Sequence, residues 1–112
     1  MNEPKAGEVW VGAGGSYLSK PRPVVIMQSE KFVALNSVTV CPVTSEPTSS
    51  DLPLFRLELP PVGTGLETRS WAMADKVTTI PKAKLGTKTG TVPRATMRQL
   101  LALVATFLGV AD

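Results

Sequence analysis

Apolar positions recur along this chain at two different periods, and the switch between them sets its architecture. Glu8-Val9-Trp10-Val11 predicts a first strand, and the continuous apolar run Pro23–Met27 predicts a central one. Ser37–Val43 is a β-branched run, with Pro42 near its end predicting a bulge or an edge position. Phe55-Arg56-Leu57-Glu58-Leu59 alternates cleanly, one face to a core and one to water. Thr68–Met73 and Lys76–Ile80 predict two short strands, and Gly86–Thr91 a last edge strand. The connections are Gly12–Pro21, with three glycines, the polar stretch Ser45–Pro53, and the turn Pro60–Leu66, where Gly63 and Gly65 can take positive φ.

After Thr91 the period becomes helical. Met97, Leu100, Leu101, Val104 and Leu108 fall on one face, with Phe107 widening the stripe. Thr91 is a candidate cap, Pro93 suits the first turn, and Gly109 suits the stop. Six or seven short strands followed by one amphipathic helix predict a mainly β protein. The expected form is a small, strongly curved antiparallel barrel with the helix packed against it. The absence of βαβ alternation argues against a doubly wound fold, and 112 residues fit one domain spanning 1–112.

Composition narrows the chemistry. The chain has no histidine and one cysteine, Cys41, which reads as a small buried hydrophobe. Histidine-based nucleophile systems and a zinc finger within the chain are therefore excluded. Gly12-Ala13-Gly14-Gly15 lacks the Gly-Lys-Ser/Thr of a P-loop, and the acidic residues form no metal-like cluster, so no cofactor or metal is expected. Met1–Glu8 is polar, no apolar run is long enough for a membrane span, and a lone thiol fits a reducing compartment, so a cytoplasmic protein is expected. Net charge is +3, unevenly spread. Residues 1–56 balance five basic against five acidic residues, whereas residues 69–98 carry seven basic residues against Asp75. Such a field suits a polyanion or an acidic protein.

Arg22 is then the leading candidate for chemistry. It lies between Pro21 and Pro23 at the mouth of a strand, where both prolines restrict the local backbone. A guanidinium can grip two phosphate oxygens and carries permanent charge. RNA can be cut without a metal, because its own 2′-hydroxyl is the nucleophile and the protein need only orient it, move its proton and stabilise charge on phosphorus. Thr44-Ser45, ending the third run, offers hydroxyls to the same phosphate. Lys20 adds charge, and Arg69, Trp71 and Lys76 are candidates for binding a nucleic acid. Trp10, Tyr17 and Phe32 are further stacking candidates, with burial the plainer role for each aromatic. A surface arginine entering a strand and a strand-ending threonine remain the structural alternatives.

The ordered segments Gly7-Glu8-Val9-Trp10-Val11, Arg22–Ser29, Val38–Ser45, Gly65-Leu66, Ser70, Asp75–Pro81, Lys84-Leu85-Gly86, Gly90 and Met97–Gly109 resemble the MazF/PemK family of toxin endoribonucleases, over roughly residues 6–110. The resemblance implies a small SH3-like barrel with a C-terminal helix, working as a homodimer. It implies metal-independent, sequence-specific cleavage of single-stranded RNA to 2′,3′-cyclic phosphate and 5′-hydroxyl ends. It also implies inhibition by a cognate antitoxin whose acidic C-terminal tail covers the RNA groove. The family's catalytic arginine and threonine match Arg22 and Thr44, with Ser45 a weaker candidate. The chain departs from the pattern before the arginine, where Ser19-Lys20-Pro21 supplies no acid to act as base. Gyrase-inhibiting toxins of the same fold and a barrel that binds RNA without cutting it are the alternatives.

Overall fold

The computed structural model describes residues 3–14, 18–32, 34–46 and 55–110. The strands are β1 (Glu8–Gly14), β2 (Leu18–Ile26), β3 (Ser37–Thr44), β4 (Arg56–Leu59), β5 (Ser70–Met73), β6 (Thr78–Pro81) and β7 (Leu85–Thr91), followed by helix α1 (Arg94–Phe107). All pairings are antiparallel, in the order β4-β5-β3-β2-β1-β7, with β6 also on β3. The turn after β4, at one end of this order, reaches β7 at the other: the Thr91 amide donates to the Gly63 carbonyl at 2.8 Å. The sheet is therefore strongly curved, as the strand pattern implied.

Alternate residues of the central strands feed two cores. Val9, Val25, Cys41, Val43, Leu59 and Ala72 join Met97 and Leu100 of α1 on one face. Trp10, Val24, Ile26, Val38, Val40 and Ile80 form the other. This explains the unbroken apolar run in β2: with no face left to water, alternation has no purpose. Burying a side chain such as Leu100, which is fully enclosed, contributes about 1.5–3 kcal/mol and docks the helix.

Three expectations are corrected in detail. The 12–21 connection is shorter than expected, because β1 runs to Gly14 and β2 begins at Leu18. Pro42 is neither bulged nor on an edge. β3 pairs β6 up to Val40 and β5 from Val43, and Pro42, with no amide to offer, falls between the two partners. Thr91 belongs to β7, and α1 starts at an N-cap Pro93 with no side-chain cap. The helix stop is as expected. Gly109 has φ +81°, its amide donates to Thr106 O at 3.0 Å, and the Val110 amide donates to Ala105 O at 2.9 Å, a Schellman arrangement. Tyr17 and most of the 45–53 connection lie outside the described residues.

Candidate active site

The β2–β3 register places Val24 opposite Pro42, Val25 opposite Cys41 and Ile26 opposite Val40. Two residues further along each strand, past the last ladder pair, come Arg22 and Thr44, on the faces of Val24 and Pro42 respectively. Gly12 of β1 is opposite Arg22, Trp71 of β5 is opposite Thr44, and Glu58 of β4 is opposite Trp71. Ladder pairing of β2 with β3 stops at Val24–Pro42, and a cleft of about 940 Å³ opens beyond it.

Lys20, Pro21, Arg22 and Pro23 line one side of the cleft, and Val43, Thr44, Ser45 and Glu46 another. Gly65, Leu66, Glu67 and Thr68 form a further wall, and Arg56, Ser70 and Met73 come from β4 and β5. Arg22 is half-buried with its Nε enclosed. The Glu46 amide donates to Thr44 Oγ1 at 3.1 Å. Because that oxygen already accepts a bond, the hydroxyl proton is left to donate elsewhere.

Four of the seven sequence candidates therefore meet in one cleft: Arg22, Thr44, Lys20 and Ser45. Arg69, Trp71 and Lys76 are not among its lining residues. Arg69 forks onto Glu58 (Nε to Oε2, 2.6 Å; Nη2 to Oε1, 3.0 Å) and lies over the Trp71 ring, 5.2 Å from its centroid. The fork holds the Glu58 carboxyl below its ordinary range and raises the guanidinium's. Lys76 lies 3.7 Å from Asp75. Trp10 is core, with Nε1 donating to Glu8 at 3.1 Å, whereas Phe32 is exposed on the short 3-10 turn Glu30–Phe32.

Pattern reading missed three cleft residues. Arg56 is largely buried and ion-paired to Asp75. Alternation in β4 marks it only as an outward-facing position, and what brings it to the cleft is its partner Met73 on β5. Glu46 and Glu67 put carboxylates in the same cleft as Arg22, where nothing before the arginine supplies one. The signal for Glu67 was the glycine pair around the preceding turn. Gly65 has φ +74°, and a Cβ there would lie 2.3 Å from Thr89 O, so the turn crosses β7 in backbone contact.

The family described as PemK-like, MazF-like toxin of type II toxin-antitoxin system matches residues 5–108. A relative in Mycolicibacterium smegmatis named probable endoribonuclease MazF is 40% identical over 96% of this chain and 98% of its own length. A solved endoribonuclease in complex with its cognate antitoxin, from a mycobacterial species, superposes with a TM-score of 0.78 at 25% identity, covering 97% of this chain and 96% of its own. A MazF structure from Deinococcus radiodurans, at 19% identity and TM-score 0.78 over 97% of this chain and 99% of its own, shares the fold. With its antiparallel sheet, its single C-terminal helix and a profile match spanning nearly its whole length, the chain belongs to the PemK-like, MazF-like toxin family.

Proposed function

We propose that this toxin is an endoribonuclease whose reaction runs at Arg22 and Thr44. It cuts single-stranded RNA, without a metal, by attack of the 2′-hydroxyl on the adjacent phosphorus. The 2′-oxygen gives up its proton and bonds to phosphorus, the bond to the 5′-oxygen breaks and that oxygen takes up a proton, and the products are a 2′,3′-cyclic phosphate and a 5′-hydroxyl. Arg22 grips the non-bridging oxygens and offsets the charge that grows on them in the transition state. Thr44 donates its hydroxyl proton to an oxygen of the same phosphate, while Lys20 and Ser45 hold the backbone. Trp71, opposite Thr44 on β5, and Arg69 over its ring take a neighbouring nucleotide, and Lys76 adds charge. A cognate antitoxin with an acidic C-terminal tail occupies the same cleft, and the toxin acts in the cytoplasm as a homodimer.

The observation that carries this reading is that Arg22 and Thr44 line one cleft, from neighbouring strands and two residues beyond their last ladder pair. Purified protein incubated with mixed-sequence RNA in EDTA is expected to yield fragments with 5′-hydroxyl ends. Arg22→Ala, folded as judged by its melting curve, is expected to cut roughly 10²–10³-fold more slowly, by analogy with the loss of one oxyanion donor. Intact RNA with the parent protein would turn the assignment towards a non-enzymatic toxin. An unimpaired Arg22→Ala would remove the arginine from the chemistry.

A further inference from the structure

We propose that Glu67 is a specificity-determining residue of the cleft, reading a base that carries an exocyclic amine and rejecting uracil. This rests on the reading of the cleft as an RNA site. Among the described residues, the carboxylates of Glu3, Glu8, Glu58 and Asp75 are taken up in ion pairs. Glu30, Glu46 and Glu67 form none, and of these Glu46 and Glu67 line the cleft. Glu46 adjoins Thr44, on the side that holds phosphate. Glu67 stands on the wall built by the turn after β4, far from Lys20 and Arg22 in the chain.

A carboxylate in a groove for a polyanion repels phosphate, so it weakens binding unless it meets N–H donors. RNA offers such donors on its bases. Cytosine N4, adenine N6 and guanine N2 carry amines, and guanine sets N1–H beside N2–H, matching both oxygens of one carboxylate. Uracil presents a single N–H between two carbonyl oxygens, which the carboxylate repels.

A residue that reads bases must also be fixed relative to the phosphate site. Glu67 meets this condition through its backbone. Two residues before it, Gly65 crosses β7 with no room for a Cβ. Thr64, fully buried, bonds from its hydroxyl to the carbonyls of Pro60 and Pro61, each at 3.0 Å. The side chain itself is exposed and has no hydrogen-bond or ion-pair partner among the described residues, as a group awaiting a ligand should be.

The test is to digest one RNA pool with the parent protein, Glu67→Gln and Glu67→Asp, and to sequence the 5′ ends. The parent's cleavage sites are expected to be depleted of uracil at one position. In Glu67→Gln, whose amide can also donate, discrimination at that position alone should fall roughly 5- to 150-fold, the worth of one bidentate base contact. Glu67→Asp should retain part of it. Identical preferences in parent and Glu67→Gln overturn the proposal. So does a rate loss shared by all sequences, which would make Glu67 a general catalytic or structural group. Absence of cleavage by the parent protein instead removes the RNA-site reading on which the proposal stands.

Discussion

At the scale of single residues, Glu8 shows how the fold holds a charge in its interior. It is the one carboxylate among the described residues that is buried. Burial alone pushes its pKa up. The Lys88 ammonium at 2.8 Å, the Lys5 amide at 2.8 Å and Trp10 Nε1 at 3.1 Å outweigh that and bring it below the ordinary 4.5. A depressed folded-state pKa contributes stability above the ordinary value, which is lost as pH falls through the folded one. Glu8→Gln should therefore be less stable than the parent at pH 7, with the gap narrowing as pH drops below about 4.5. Thermal melts of both proteins from pH 7 to pH 3 measure this, and a gap independent of pH would show that the ion pair is not its source. Cys41 is the opposite case. Burial pushes its thiol up to about 12, so it stays protonated and serves as a hydrophobe, as its apolar context implied.

At the scale of elements, two glycine contacts hold the cleft's wall. A Cβ on Gly90 of β7 would lie 2.3 Å from Gly63 O and 2.4 Å from the Thr64 carbonyl carbon, atoms of backbone that cannot rotate away. Gly86 of the same strand would meet nothing closer than Val11 O at 3.5 Å. Gly90→Ala should therefore destabilise by about 1–3 kcal/mol, the range for overpacking, and should raise KM for RNA by shifting the turn that carries Glu67. Gly86→Ala should change stability by less than about 0.5 kcal/mol. Urea titrations of the two variants decide the matter, and equal effects would refute the crossing as a constraint. The strands themselves were legible in the sequence from alternation or, in β2, from an unbroken apolar run, and the helix because its stripe ends at Gly109. The ends of β1 and β2 were not, since Gly12–Gly14 and Leu18–Pro21 are held by ladder partners that glycine, serine and proline do not advertise. That Arg22 and Thr44 line one cleft is geometry that their residue types do not display. Register belongs to a pair of strands, and no single segment displays it.

At the scale of the molecule, charge and apolar surface lie where a tally along the chain does not put them. Of the seven cations in residues 69–98, Arg69, Lys76, Lys82 and Lys88 are in ion pairs, and none of the seven lines the cleft. The cleft's cations, Lys20, Arg22 and Arg56, come from the half whose charges cancel. Folding concentrates them, and the sum over a window cannot show it. Apolar surface is displaced in a similar way. The first turns of α1 bury Met97 and Leu100, but towards the C-terminus Leu101, Phe107, Leu108 and Val110 stand 43–75% exposed. Phe55 covers only one edge of Phe107, with ring centroids 5.2 Å apart at 78°. A second copy of the chain would cover this surface, and a two-fold arrangement lets the same patch serve both partners. A homodimer by sedimentation at micromolar concentration is the expected outcome. Leu101→Glu with Leu108→Glu should shift it to monomer while leaving the melting curve of the monomer cooperative, because neither side chain belongs to a core. A dimer unaffected by both substitutions would mean that the chains meet through another face, and would leave the helix end to the antitoxin or to water.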